Sequence, residues 1–334
     1  MKVSIRDLSK MTGFSPATIS NALNHKKGVN RETAEEIFRV ARETGYLSAN
    51  AVTKIRLVIF KKNGQILEET PFFQQMIEGI EEECHRLGYE MVISHVDQRN
   101  PNYQKQVRDL LEEQGVGIIL LGTEMMDGDL SLYRNASCPV LLLDHWTESM
   151  DFNSVLINNA DAARAITEHL LDNGHREVGY LRGNYRIKAF RSRFIGFQTA
   201  LKKYKVPYKE EYTVTVGTYM STACQDMLEY LKKKPKLPTA FFADNDIIAL
   251  GAMKALQEMG YRIPEDISIV GFDDLTFSEI SSPPLTTLRV EKREMGKMAV
   301  RRLVELIAGI GTSTVTKIQV CPKIIYRNTV KNIK

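Results

Sequence analysis

The sequence has little of what catalysis or metal binding requires. Its 334 residues include four cysteines and six histidines, and none of the cysteines forms a Cys-x-x-Cys pair or another metal-site spacing. It contains no P-loop, no nucleophile elbow, no zinc-protease motif and no dinucleotide-binding glycine motif. We therefore expect no enzyme, no cofactor and no metal, and we expect reduced thiols instead of disulfides.

Long apolar runs are also missing. No run approaches the roughly 20 residues that span a bilayer, and the polar N-terminus has no signal-peptide core. Composition is ordinary for a soluble globular protein, with 43% hydrophobic and 26% charged residues. We expect a soluble, cytoplasmic protein of two or three domains that makes no contact with a membrane.

The excess positive charge is confined to the N-terminal end. The net charge is +4, and residues 1–54 carry nine Lys/Arg against five Asp/Glu. The remaining 280 residues carry 36 charges of each sign. The whole excess therefore lies on one short segment, as contact with nucleic-acid phosphates would require.

The same segment has the pattern of three short helices over residues 4–46. Ser4 with Asp7 forms a helix-start motif, and Ile5, Leu8 and Met11 follow as an apolar stripe at helical spacing. This pattern predicts a first helix that begins at Ser4 and buries one face.

Two further helices follow. Gly13 ends the first helix, and a serine cap with proline next to it at Ser15-Pro16 starts the second. A third helix closes at Gly45. The buried faces of these two helices are predicted to consist of Ile19, Ala22, Leu23, Ala34, Ile37, Val40 and Ala41. Two helices joined by a glycine-bearing turn and covered by a third form a helix-turn-helix domain.

After a polar connector, short apolar runs alternate with amphipathic segments. Residues 117–121 and 140–143 are nearly all apolar, which suits parallel strands buried on both faces. Two consecutive series of this kind predict two doubly wound α/β lobes. Ligands of such sheets bind beyond the carboxyl ends of the strands, so we expect a small-molecule site in the cleft between the lobes.

Seven segments match the motifs of one family in order and spacing. They are IRDLSKMTGFSPATISNALN (5–24), RETAEEIFRVARETGY (31–46), GHREVGYLRG (174–183), RFIGF (193–197), ADNDIIALGAM (243–253), PEDISIVGFDD (264–274) and PPLTTLRVEKREMGKMA (283–299). These motifs resemble those of the LacI/GalR (lactose-repressor) family of bacterial regulators. The resemblance implies a homodimeric, effector-gated repressor that binds double-stranded operator DNA and has a core like a periplasmic binding protein.

The resemblance also implies the domain boundaries. The headpiece covers residues 1–47 and the connector residues 48–54. One core lobe takes residues 55–157 with 285–318, and the other takes residues 158–284 with 319–331. The chain is expected to cross between the lobes near Asn158, Pro284 and Gln319.

By the resemblance, the second helix enters the major groove of DNA. The expected contact residues are Ser4, Ser15, Pro16, Ala17, Thr18, Ser20, Asn21, Asn24, His25 and Asn30. Short hydroxyls suit phosphate contacts, whereas Asn21 can pair with adenine through two hydrogen bonds. A contact of Asn21 with phosphate alone is the alternative. Pro16 and Ala17 offer only van der Waals contact, for example with a thymine methyl.

The connector departs from the family pattern. Relatives carry a hinge helix there, with a leucine that wedges into the minor groove. In this chain residues 50–54 run directly into the first strand, and membership of that strand explains Leu57 better than a wedge does. We expect a short, stiff coupling that bends DNA little or not at all.

Eight core residues are expected to contact the effector by the same resemblance. They are Phe72, Phe73, Asp144, Trp146, Arg193, Tyr219, Asn245 and Asp273. Carboxylates, an amide and a guanidinium suit hydroxyl or carboxylate groups of a ligand, and the rings can stack on it. A structural role in capping or domain closure is the alternative for the polar residues, and core packing is the alternative for the rings. The set favours a carbohydrate effector, with a nucleobase second.

Two other functions fit parts of the sequence. A sugar-binding transport receptor would share the two lobes, but its secretion signal is missing and residues 4–46 would have no role. A DNA-binding regulator with a vestigial pocket, controlled by a protein partner, would share the headpiece. Stabilisation by a small ligand separates this regulator from an effector-gated one.

Overall fold

The computed structural model describes residues 3–23, 28–46, 52–68, 71–310 and 314–334. Three helices come first, and two α/β lobes follow. Within these ranges no helix is long and apolar enough to cross a bilayer. Asn24, His25 and the first four residues of the connector lie outside the described residues, so the predictions about them stay predictions.

The headpiece consists of α1 (Ile5–Thr12), α2 (Pro16–Leu23) and α3 (Arg31–Glu43). The predicted start of α1 is confirmed, because the Asp7 amide donates to Ser4 Oγ at 3.3 Å and the Ser4 amide donates to Asp7 Oδ2 at 2.9 Å. The predicted end is confirmed as well: Gly13 has φ 74°, the left-handed conformation that favours glycine.

Most of the predicted headpiece core is confirmed: Ile5, Leu23 and Ala34 are half-buried against it, and Met11 is the one exposed position. Leu8, Ile19 and Ile37 are fully buried, whereas Met11 is 60% exposed. Three helical residues turn the chain by about 300°, so Met11 lies about 60° away from Leu8. This rotation carries the Met11 side chain past the edge of the short apolar face and into solvent.

The first lobe, called the N-lobe, is built on a six-stranded parallel sheet of order β11-β5-β4-β3-β1-β2. Its strands are β1 (Lys54–Lys61), β2 (Glu90–Asp97), β3 (Val116–Leu121), β4 (Val140–Leu143), β5 (Asn153–Ile157) and β11 (Lys317–Val320). It also contains α4 (Phe72–Arg86), α5 (Tyr103–Glu112), α11 (Lys292–Ile307) and a 3-10 helix, Asp127–Tyr133. Every residue of β3 is buried, and so is every residue of β4 except half-buried Val140, as predicted for parallel strands covered on both faces.

The second lobe, called the C-lobe, is built on a four-stranded parallel sheet of order β7-β6-β8-β9. Its strands are β6 (Val178–Gly183), β7 (Thr213–Val216), β8 (Ala240–Ala243) and β9 (Ser268–Val270). Its helices are α6 (Asn159–Asp172), α7 (Lys188–Lys203), α8 (Met220–Lys232), α9 (Asp246–Glu258) and α10 (Thr276–Ile280), with a 3-10 helix, Glu210–Tyr212. A two-stranded antiparallel ribbon, β10 (Thr287–Arg289) and β12 (Lys323–Ile325), stands apart from both sheets.

Two of the predicted lobe boundaries need correction. The boundary after residue 318 falls inside β11, all four residues of which pair with β5, so the N-lobe sheet extends to Val320. The boundary after residue 284 is too early, because Leu285 is fully buried in the C-lobe core and Thr286 forms a bridge with Val270. Sheet pairing, which the linear pattern does not reveal, decides both positions.

Helices α4 and α11 pack closely against each other. A Cβ at Gly79 would lie 2.1 Å from the Arg293 carbonyl oxygen, and one at Gly296 would lie 2.3 Å from that of Met76. Only glycine allows two backbones to approach this closely. Buried Glu83 also joins the two helices: burial raises its pKa, but hydrogen bonds from Arg86 and Arg301 lower it to about 2.

Candidate functional site

Two connected chambers lie between the lobes, at the carboxyl ends of the strands, as the sheet topology predicts. The larger has a volume of about 220 Å³ and the smaller about 30 Å³. Thr123, Asp144 and Ala189 line both chambers. The polar residues around the larger chamber are Thr123, Asp144, Asn158, Asn159, Lys188, Ser192 and Gln319.

Asp144 stands where the two chambers meet. It follows β4 directly, has φ 55°, and accepts a 2.6 Å hydrogen bond from Thr123 Oγ1. Burial raises the pKa of Asp144 to about 6, against the opposing effects of Thr123 and Arg193. A carboxyl group with such a pKa can accept hydrogen bonds near neutral pH and donate one at lower pH, which suits ligand hydroxyls.

Arg193 and Asp273 line the smaller chamber. Arg193 is 3% exposed and donates to Asn159 Oδ1 at 2.9 Å, to the Asp244 carbonyl at 2.6 Å and to Asp273 Oδ1 at 3.3 Å. Its guanidinium also lies 3.6 Å from the centre of the Phe272 ring. Burial raises the pKa of Asp273, while Arg193 opposes the shift. This network holds the ends of β8 and β9 together beneath the cleft.

Asn245 combines two of the roles considered for it. It lines the smaller chamber, and its Oδ1 accepts from the Ile248 amide at 3.0 Å. The side chain therefore caps α9, as asparagine commonly does at a helix start. Capping fixes its position at the chamber wall.

The four candidate rings occupy different places. Phe72 and Phe73 line the smaller chamber, where they pack edge to face at 5.1 Å between centroids. Trp146 lines the larger chamber and is 41% exposed, with Lys317 Nζ 4.6 Å from its ring centre. Tyr219 precedes α8 and lines neither chamber, so the structure does not bring it together with the other seven candidates.

Several chamber residues were not predicted from the sequence: Thr123, Asn158, Asn159, Lys188, Ser192 and Gln319. Thr123 could have been found, because it comes two residues after a strongly apolar strand and therefore lies at a strand end. Lys188 and Ser192 lie in the first two turns of α7 and carry no local signal. Their position depends on how the two lobes meet.

Three of the ten DNA-contact candidates are helix caps. Ser4 caps α1, Ser15 Oγ accepts from the Thr18 amide at 3.0 Å, and Asn30 Oδ1 accepts from the Thr33 amide at 2.9 Å. Pro16 and Ala17 are exposed at the start of α2. Thr18, Ser20 and Asn21 are half-buried on the same helix. The start of α2 therefore presents small side chains to solvent.

Comparison with known proteins agrees with this architecture. Residues 167–330 match the family model of a periplasmic binding protein-like domain. The chain is 31% identical to the HTH-type transcriptional repressor PurR of Mannheimia succiniciproducens, over 98% of this chain and 99% of the relative. A PurR of Haemophilus influenzae is 30% identical with the same coverage. The chain belongs to the LacI/GalR family of transcriptional regulators.

Solved structures of LacI/GalR regulators have the same fold. A complex of the transcriptional regulator CelR with cellobiose has a TM-score of 0.74 and 25% identity, and covers 98% of this chain and 100% of that one. A lac repressor dimer bound to operator and the anti-inducer ONPF has a TM-score of 0.71 and 25% identity, with 99% and 100% coverage. The resemblance of the motifs to this family is confirmed.

Proposed function

We propose that this LacI/GalR regulator is a cytoplasmic, homodimeric repressor whose affinity for operator DNA is set by a carbohydrate bound in the larger chamber. The observation that carries the proposal is the combination of Asp144 and Trp146 on one chamber wall. One supplies a carboxyl group for sugar hydroxyls, and the other supplies a ring. Lys317 covers part of that ring.

The similarity to the CelR–cellobiose complex supports a sugar, since that relative shares the whole fold. A nucleobase is the second candidate ligand, because an aromatic ring and an amide can recognise it as well. The alternative regulator, with a vestigial pocket and a protein partner, would have no use for the polar residues around a 220 Å³ chamber.

A thermal-shift screen of the full chain against sugars and nucleobases tests this proposal. A ligand at 100 times its Kd should add about 2.7 kcal/mol to the free energy of unfolding. Trp146→Ala should diminish the shift, whereas Tyr326→Ala, an exposed ring outside both chambers, should leave it unchanged. If nucleobases stabilise the protein and sugars do not, the carbohydrate assignment is wrong. If neither sugars nor nucleobases stabilise the protein, the result favours the alternative regulator with a vestigial pocket.

Homodimer formation would cover apolar side chains that the monomer exposes. Ile93 is 45% exposed on β2, an edge strand, and Phe277 and Ile280 on α10 are 45% and 73% exposed. Edge strands and exposed apolar side chains both favour association with another chain. We assign these two faces to the dimer, one in each lobe.

The headpiece reads DNA in this proposal, with Asn21 as the residue that recognises a base. Asn21→Ala should cost about 1–3 kcal/mol on a site selected from random DNA, and less on non-specific DNA, because the paired contact with adenine is lost. Fluorescence anisotropy at matched salt measures both affinities. Met11→Ala, which removes an exposed side chain from α1, is the control and should change neither. Equal losses on both DNAs would reduce Asn21 to a phosphate contact.

A further inference from the structure

An ion pair crosses the cleft beside the larger chamber. Asp127 begins the 3-10 helix of the N-lobe, and Lys188 is the first residue of α7 in the C-lobe. Lys188 Nζ contacts Asp127 Oδ1 directly. The Lys188 side chain is 13% exposed and lines the larger chamber. This contact therefore connects the lobes at the site of the proposed effector, without involving the crossover strands.

The N-lobe partner is held in position by the chamber wall. Thr147, which is 1% exposed, donates from Oγ1 to the same Asp127 oxygen at 3.1 Å. The Thr147 carbonyl in turn accepts from Lys317, the residue above the Trp146 ring. Trp146 precedes Thr147 in the chain, so the hydrogen-bond partner of Asp127 is the direct neighbour of the tryptophan. The hydrogen bond from Lys188 lowers the pKa of Asp127, which keeps this carboxylate charged.

A buried histidine lies near the ion pair. His145 Nδ1 donates to the Gly122 carbonyl oxygen at 2.9 Å. Burial, together with the smaller effect of nearby Lys188, lowers the pKa of His145 to about 4, so His145 is neutral. A neutral imidazole does not compete with Lys188 for the Asp127 carboxylate.

We propose that the Asp127–Lys188 ion pair is a latch that holds the two lobes closed beside the larger chamber and controls access to it. Separation of the lobes must break this contact, whereas the networks of Arg193 and Glu83 lie within single lobes and are preserved. The control of effector entry rests on the proposed function. The latch itself is a property of the ligand-free chain and can be measured without an effector.

Acrylamide quenching of tryptophan fluorescence tests the latch, because Trp146 is the only tryptophan in the chain. Lys188→Met and Asp127→Asn each remove the ion pair. Either should shift the equilibrium between closed and open forms by about 1.5- to 5-fold toward the open form, the range for a partly exposed pair. Quenching should increase accordingly. The exchanged pair, Asp127→Lys with Lys188→Asp, should restore the lower quenching.

Lys254→Met is the matched control, since it removes a lysine paired with Glu258 on the exposed face of α9. It should leave quenching unchanged. Equal quenching of the unmodified chain and both single variants would overturn the latch. Restored low quenching in the exchanged pair would show that the attraction between the two charges holds the lobes closed. Failure of the sugar screen leaves these outcomes unaffected, so the two proposals can fail separately.

Discussion

Replacement of Arg193 with alanine is expected to lower the free energy of unfolding by about 3–5 kcal/mol, because it leaves a buried carboxylate without its partner. Arg193 is 3% exposed, and its partner Asp273 is 6% exposed. The same change removes donors to Asn159 and to the Asp244 carbonyl, and it opens space beside the Phe272 ring. The ends of β8 and β9 should lose their connection to α6 and α7.

The loss of stability in Arg193→Ala should increase with pH. Burial raises the pKa of Asp273, and Arg193 opposes this shift. Without Arg193 the pKa of Asp273 rises further above its unfolded value. The folded variant then binds a proton more readily than the unfolded one, so its stability falls as pH rises through the raised pKa. The difference in free energy of unfolding between Arg193→Ala and the unmodified protein should therefore be largest at high pH and should decrease as pH falls.

Urea denaturation across a pH series measures both effects. Arg193→Lys keeps the charge but not the planar set of donors, so it should retain part of the stability. Arg262→Ala is the control, because Arg262 pairs with Asp266 at the surface and its side chain is 71% exposed. It should change the free energy of unfolding by less than about 1 kcal/mol. A loss of that small size for Arg193→Ala would show that water readily replaces the guanidinium.

Features that depend on a few neighbouring residues were predictable from the sequence. The capping box of Ser4 and Asp7 and the left-handed Gly13 form within one turn of helix, so their signals are local. The apolar strands β3 and β4 were equally clear, since burial on both faces leaves few polar positions. Met11 shows the limit of this reasoning, because helical spacing does not reveal how wide the apolar face is.

Features that depend on distant residues were only partly predictable. The motif around Arg193 indicated a guanidinium in the cleft, yet its hydrogen bonds go to Asn159, Asp244 and Asp273, far away in the chain. Lys188 has no motif, because its significance comes from a carboxylate on the other lobe. Capping by Asn245 was one of the alternatives, and the structure shows that capping and lining coexist.

Replacement of Glu124 is expected to have a second large effect on stability. Glu124 binds a loop that contains no recognisable sequence motif. Its carboxylate is fully buried and accepts four backbone N–H groups. The amides of Lys62, Asn63 and Gly64 donate to Oε2 at 2.8, 3.1 and 2.9 Å, and that of Ile66 donates to Oε1 at 2.9 Å. One side chain thus holds residues 62–66, the first part of the loop that follows β1.

Glu124→Ala is expected to destabilise the N-lobe by about 4 kcal/mol, because each buried donor left unpaired costs about 1–3 kcal/mol and water can replace only some of them. Glu124→Gln should cost less, about 2 kcal/mol, since the amide oxygen can still accept while its NH₂ group opposes a backbone donor. Glu90→Ala is the control, as Glu90 pairs with Lys54 at the surface of the same lobe, and it should cost less than about 1 kcal/mol.

Hydrogen exchange at the four donor amides separates a loss of loop order from a general loss of stability. Their protection should fall in Glu124→Ala by more than that of amides in β3, because the carboxylate is their direct acceptor. Ile66 belongs to this loop and lines the smaller chamber, so a disordered loop would also open the chamber wall. Unchanged protection at all four amides would mean that the loop keeps its shape without Glu124. The Glu124 carboxylate would then not be needed to order the loop. The order of the chamber wall would have to come from the packing of Ile66 against Phe72 and Phe73.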